Sequence, residues 1–269
     1  MSLRRDYSVT KWGAVKMTLR ELDAYFRELL PLEEFARIDP SKNGIQVDRS
    51  QTPLEKVAFT VDAAMEPFRK AAEWGAGAVV VHHGLFWGHE QTVTGTHYDR
   101  LKFLMERDIG LYACHLPLDA HLEVGNNAVM AEQLGLTAIE PFGEFKGLPI
   151  GVKGTLREPL TPDEVAATLF GTVDVPIRIL PFGKPNIRTV GLISGGAPKE
   201  VAAAVSEGLD LFITGDALHT VYHNCLESEI NVMFAGHYAT ETWGVRKLSE
   251  KLRQEKDVDT RFIDVPTGL

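Results

Sequence analysis

The sequence predicts an α/β protein built from two similar halves. Three observations lead there. Apolar strands alternate with amphipathic helices along most of the chain, some strands are apolar at nearly every position, and one strand–helix–strand stretch recurs in the second half. A strand such as AVVV, at 78–81, has no polar alternation. Such strands are buried on both faces, as in parallel sheets joined by right-handed helical crossovers.

The elements follow in order. Thr18 caps a helix over 18–30, with Glu21 as its capping-box partner and Leu19, Leu22, Phe26, Leu29 and Leu30 on one face. A turn-rich stretch, IDPSKNGIQVD, occupies 38–48. KVAFTVDA (56–63) reads as a strand, and MEPFRKAAEWGAG (65–77) as a helix closed by glycine. AVVV is a strand, YDRLKFLMERDIG (98–110) a helix and LYAC (111–114) a strand. The second half opens with a helix at NNAVMAEQLGL (126–136) and a strand at LPIGVKGTL (148–156). Thr161 caps a helix over PDEVAATLF (162–170), with Pro162 in its first turn, and IRILPF (177–182) is a strand. RTVGLISGGA (188–197), PKEVAAAVSEG (198–208) and LDLFITGD (209–216) repeat strand–helix–strand. The chain closes with helix HTVYHNCLE (219–227), strand INVMFAG (230–236), helix TWGVRKLSEKL (242–252) and strand TRFIDV (260–265).

These elements divide into halves at 17–125 and 126–269, with the last segment, from about 237, free to pack back on the first half. Residues 1–16 precede the periodic sequence and are expected to be a loose N-terminal extension. The 269 residues carry a formal net charge of −9, which disfavours binding to a phosphate backbone. No run reaches the roughly 18–20 apolar residues that span a bilayer, and the basic N-terminus lacks the apolar core of a secretory signal. Two cysteines, Cys114 and Cys225, give no disulfide framework, so a cytoplasmic protein without membrane or nucleic-acid partners is expected.

The two copies of the repeat each end in the same pattern. IGLYACHLPLD and INVMFAGHYATE place His-x-x-x-acid after an apolar strand, as His115 with Asp119 and His237 with Glu241. The strand AVVV leads directly into His82 and His83, and Gly84 lets the chain turn after them. Three strand ends thus carry His82, His83, Asp119, His237 and Glu241, at the ends where α/β sheets present their chemistry. Imidazole and carboxylate suit Fe, Zn, Mn, Co or Ni, and a carboxylate can bridge two such ions in a two-metal hydrolytic site. His82 and His83 have no repeat counterparts, since Thr214 and Gly215 stand in their place, so one composite site is expected between the halves.

Other residues have weaker claims. His219 and His223 lie four apart on the expected helix and share a face, but Thr220 stands where a zincin needs glutamate. With His115 they are candidates for proton transfer, or are plain helix residues. Asp62 follows a strand and fits either a supporting ligand or a helix cap. SGGA (194–197) could cradle a phosphate at a helix start, although a simple turn explains it as well. Phe86, Trp87 and Tyr238 suit either an aromatic floor for a substrate or the core.

VVVHHGLFW, LYACHLPLD, LFITGD and AGHYATE together resemble the NIF3-like proteins, also called GTP cyclohydrolase 1 type 2 homologs. The resemblance runs from about Met17 to the C-terminus, in the short form without a central inserted domain. It implies a dinuclear metal centre between two similar α/β domains and a ring-shaped homohexamer. It further implies that His82, Asp119 and Glu241 bind one divalent ion and His83, His237 and Glu241 the other, with Glu241 bridging. Family members often carry W-D-N-x-G-L near the N-terminus, where this chain reads IDPSKNGIQV without the tryptophan. The function implied is a metal-dependent hydrolase acting on a nucleotide-like or phosphoester small molecule. The alternative is a non-catalytic metal-binding regulatory or protein-interaction scaffold.

Overall fold

The computed structural model describes residues 17–171 and 176–269, so the expected extension at 1–16 lies outside the described residues. The first half runs α1 (Leu19–Leu29), α2 (Leu32–Phe35), β1 (Gly44–Val47), β2 (Lys56–Asp62), α3 (Met65–Trp74), β3 (Ala78–His83), α4 (Gly95–Glu106), β4 (Gly110–Ala113) and α5 (Leu116–Asp119). There follow α6 (Asn126–Gln133), β5 (Thr137–Phe145), β6 (Leu148–Leu160), α7 (Pro162–Phe170), β7 (Arg178–Pro181), β8 (Ile187–Leu192), α8 (Val201–Ser206), β9 (Leu211–Thr214), α9 (Tyr222–Glu227) and β10 (Asn231–Phe234). The chain ends with α10 (His237–Glu255) and β11 (Asp259–Phe262). Short 3-10 turns at Pro198–Glu200 and His219–Val221 lead into α8 and α9.

Two mixed sheets result, ordered β1-β4-β3-β2-β11 and β5-β6-β8-β9-β10-β7. In each, three parallel strands lie in chain order, β2-β3-β4 and β8-β9-β10. In each, the strand before them pairs antiparallel with the third, β1 with β4 and β7 with β10. A helix ahead of that strand opens with the same device in each half, with the short α2 intervening in the first. Thr18 and Glu21 cap α1 reciprocally, as Thr161 and Glu164 cap α7. The repeat is therefore longer than the strand–helix–strand stretch visible in the sequence.

Two strands depart from expectation. The turn-rich stretch contains β1, an edge strand with an irregular register against β4. The unassigned stretch after α6 is β5, whose first five residues are exposed and which admits Pro141 because it lies at the sheet edge. Neither strand needs an apolar pattern, so neither announces itself in the sequence.

The cores explain why β3 is apolar throughout. Val80 faces Phe26, Phe59 and Tyr112 on one side of the first sheet, while Val79 and Val81 face Phe68, Leu104 and Leu111 on the other. The long helix α10 then crosses between the halves. Its Val245, Leu248 and Leu252 join the first-half core, and its Ala239 joins the second. β11 follows and pairs parallel with β2, so the chain's last strand belongs to the first sheet.

Leu248 is fully buried at this seam. Leu248→Ala is expected to cost about 2–5 kcal/mol, read as a lowered urea midpoint with an unchanged slope.

Candidate metal centre

His82 and His83 are the last two residues of β3. The strand stays extended through both, and the two rings lie 4.8 Å apart between centroids. Both meet the carboxylate of Glu241. His82 Nε2 lies 3.5 Å from Oε1, and His83 Nε2 lies 3.1 Å from Oε2. His237 Nε2 reaches Oε1 at 3.2 Å. One carboxylate therefore touches three imidazoles.

The two His-x-x-x-acid motifs owe their geometry to helix starts. α10 begins at His237, five residues earlier than the sequence suggested, so His237 and Glu241 are i and i+4 on one face. His115 is the N-cap position of the short α5, and Asp119 ends that helix. Asp119 Oδ2 approaches His82 Nε2 at 3.4 Å, while its Oδ1 accepts from Asn126 Nδ2 and Ser194 Oγ at 2.8 Å each. Ser194 belongs to the second half, so Asp119 is held across the seam.

Each of the four histidines is anchored at Nδ1, leaving Nε2 for the centre. His82 Nδ1 meets the Cys114 carbonyl at 3.0 Å, and His83 Nδ1 meets Asp62 at 2.8 Å. His115 Nδ1 meets Asp39 at 2.9 Å, and His237 Nδ1 meets Asp216 at 3.0 Å. An acceptor behind each ring fixes tautomer and aim, which is how metal-ligating histidines are held. Asp62 thus has a supporting role. Asp39 and Asp216 were not anticipated; Asp39 lies in the turn-rich stretch and Asp216 in the second copy of the repeat.

The residues fit a cation. His82 Nε2 and Glu241 Oε2 are buried polar atoms without a hydrogen-bond partner, an arrangement that costs free energy unless something else satisfies them. Two groups could hold an ion, each with ligand atoms within 4.8 Å of one another: His82, His83 and His115, and His83, His237 and Glu241. The donors are nitrogen and oxygen, which suits Fe, Zn, Mn, Co or Ni. Cys114 is not among them, since burial pushes its thiol up and its Sγ points at the Val81 carbonyl.

The local charges follow. Burial works against a charged His82, but Asp119 and Glu241 outweigh it and hold the imidazole well above its ordinary value. Burial likewise opposes a charged His237, yet Glu241 and Asp216 raise it to about 9. Glu241 sits well below the usual carboxylate range, because His82 and His83 outweigh its own burial.

Several glycines and loop residues frame the centre. Gly195 has φ of +66° and lies against Glu241, where a β-carbon would strike Oε1. With Ser194 bonded to Asp119, SGGA serves as a close-approach turn against the two acids. His219 and His223 are exposed, and neither lines the cavity in front of the centre. Of the three aromatics considered, Trp87 lines that cavity. Phe86 packs on the outer core of the first sheet, and Tyr238 is buried in the first-half core with its hydroxyl donating to the exposed Asp264.

The profile of the Duf34/NIF3 (NGG1p interacting factor 3) family matches residues 17–268. The chain is 41% identical to a GTP cyclohydrolase 1 type 2 homolog of Treponema pallidum, over 94% of this chain and all of the relative. It is 41% identical to the Deinococcus radiodurans protein of that description, over 88% of this chain and 92% of the relative. Among solved structures it is similar to protein ybgI, titled as of unknown function, at 35% identity and a TM-score of 0.85, covering 94% of this chain and 100% of that one. TTHA1606 from Thermus thermophilus matches at 38% identity and a TM-score of 0.82, with the same coverage.

Two outcomes are expected. Asp216→Ala removes the anchor of His237 and should weaken metal binding about 10–100-fold, measured by competition with a chelator, with little change in melting temperature because Asp216 is half exposed. Metal binding near pH 7 should release protons, because the raised imidazoles must deprotonate to ligate. The His237 pairing stabilises the metal-free fold fully below about 6.5 and loses that contribution as pH rises through about 9, so its share of the released protons vanishes above that. Calorimetry in buffers of different ionisation enthalpy counts them, and a count of zero at pH 7 would contradict the assignment.

Proposed function

The chain belongs to the Duf34/NIF3 family, and on that footing we propose that it is a dinuclear metal-dependent hydrolase. The observation that carries this reading is the convergence of three Nε2 atoms on the buried Glu241 carboxylate, with two orphaned polar atoms among them. His83, His237 and Glu241 would hold one divalent ion, and His82, Asp119 and Glu241 the other, with Glu241 common to both. When bound, the ions supply Lewis acidity to the substrate's head group and to a water.

The chain's own residues do the rest. Asp62, Asp216 and the Cys114 carbonyl aim their histidines. His115, held by Asp39, has an Nε2 free to take or give a proton at the centre. Trp87 packs edge-on against His115 at 5.1 Å and covers that side of the ring from water. GTP, which the relatives' description names, is the first molecule to try, with phosphoesters beside it.

The test is a screen of the manganese-, iron- or zinc-loaded protein against GTP and a panel of phosphoesters, beside Glu241→Ala. Turnover that needs the metal and falls at least about 100-fold in the variant supports the enzyme. Equal trace activity in both, with about two ions per chain in the wild type, favours a metal-binding scaffold over a hydrolase.

A further inference from the structure

The cavity in front of the centre has a volume of about 640 Å³. Leu116, Phe145, Ile150, Ile193 and Leu218 give it an apolar wall drawn from both halves. Trp87 adds an aromatic surface beside His83 and His115. Such a lining favours the burial of an apolar body.

The charges are more restrictive. Along the described lining stand Asp119, Glu200, Asp216 and Glu241, against Lys199 as the one lysine or arginine. Lys199 is exposed on the turn after Ala197 and makes no ion pair among the described residues. Two divalent ions would offset the four carboxylates and leave that single ammonium over. A triphosphate is normally held by several cationic groups beyond its metal, and the described lining does not offer them.

One run of chain in the lining carries both the contacts to the centre and Lys199. Ser194 bonds to Asp119 at the centre, Gly195 abuts Glu241, and Lys199 follows within five residues. A ligand lying along this run would meet the metal ligands at one end and an ammonium at the other.

We propose that the cavity takes a compact molecule with an apolar flank, a carbonyl or amide head group facing the histidines and Glu241, and a single anionic group paired with Lys199. A nucleoside triphosphate does not meet this description. The inference rests on the two-ion hydrolytic reading above and narrows its substrate class by charge.

Hippurate has these parts: an aromatic ring, an amide and one carboxylate. Calorimetric titration of the manganese-loaded protein should show hippurate binding at least about tenfold tighter than GTP, with metal content checked by elemental analysis. Lys199→Ala should weaken hippurate about fivefold, as expected for one exposed charge pair, without changing metal content. Tighter binding of GTP than of hippurate, or hippurate affinity unchanged in Lys199→Ala, would overturn the inference while leaving the two-ion centre standing. Failure of a fully loaded protein to bind either probe overturns it as well. Failure to retain ions at all is a separate result and brings down the reading on which the inference rests.

Discussion

The site depends on keeping the carboxylate of Glu241 inside the protein. An ionised carboxylate without partners is costly to bury, and this one is only 3% exposed. Three imidazoles from two different elements compensate it. Each condition for that arrangement is met by a different part of the fold. β3 must remain extended through two histidines. α10 must begin at His237 so that four residues separate the histidine from the acid. The turn at Gly195 must come close without a side chain. The helix must also be held in register, which Val245, Leu248 and Leu252 do by entering the first-half core. The return of β11 to the first sheet follows from the same placement.

The repeat explains how one chain assembles such a site only once. The last ladder bonds of the two sheets correspond: Cys114 N–H donates to the Val81 carbonyl, and Ala235 N–H donates to the Thr214 carbonyl. The ladders of β3 with β4 and β9 with β10 also have the same length. Thr214 therefore matches Val81, and Gly215 with Asp216 occupies the places of His82 and His83, one residue beyond the sequence alignment. Gly215 is packed against the Gly195 carbonyl and the His237 Cα, so a histidine there has no room. The second copy has no histidine pair there and contributes close backbone and an anchoring acid instead.

Much of this was legible in the sequence, and the reason is physical. Apolar strands and capped helices follow from periodicity, as Thr18 with Glu21 and Thr161 with Glu164 show. Ligand-type residues at strand ends stand out because nothing in a core needs two adjacent histidines. What stayed hidden had no pattern to show. β1 and β5 are edge strands that need no alternation of apolar and polar residues. Asp39 reaches His115 across 76 positions of sequence, a pairing that only the folded chain makes. The expected helix over His219 and His223 begins only at Tyr222, with His219 in the 3-10 turn before it, and both histidines meet solvent.

The anchoring of the histidines separates inheritance from requirement. The sequence sets the two His-x-x-x-acid motifs side by side, but the ladders match His115 with Gly236, one residue before His237, so the motifs are offset in the folded repeat and their Nδ1 partners need not correspond. They do not. The partner of His237 is Asp216, directly after the middle parallel strand of the second sheet, while the partner of His115 is Asp39, ahead of the edge strand of the first. Asp39 is itself fixed by the backbone N–H groups of Ser41 and Leu116 and by Asn43. His83 takes Asp62 from a neighbouring strand, and His82 takes a main-chain carbonyl. Four rings thus have four unrelated acceptors and one common outcome, an Nε2 left for the centre. An arrangement reached by separate routes reflects what the site demands of each ring. On that reasoning His115, like the other three, is held with its Nε2 toward the centre, where its ring lies beside those of His82 and His83.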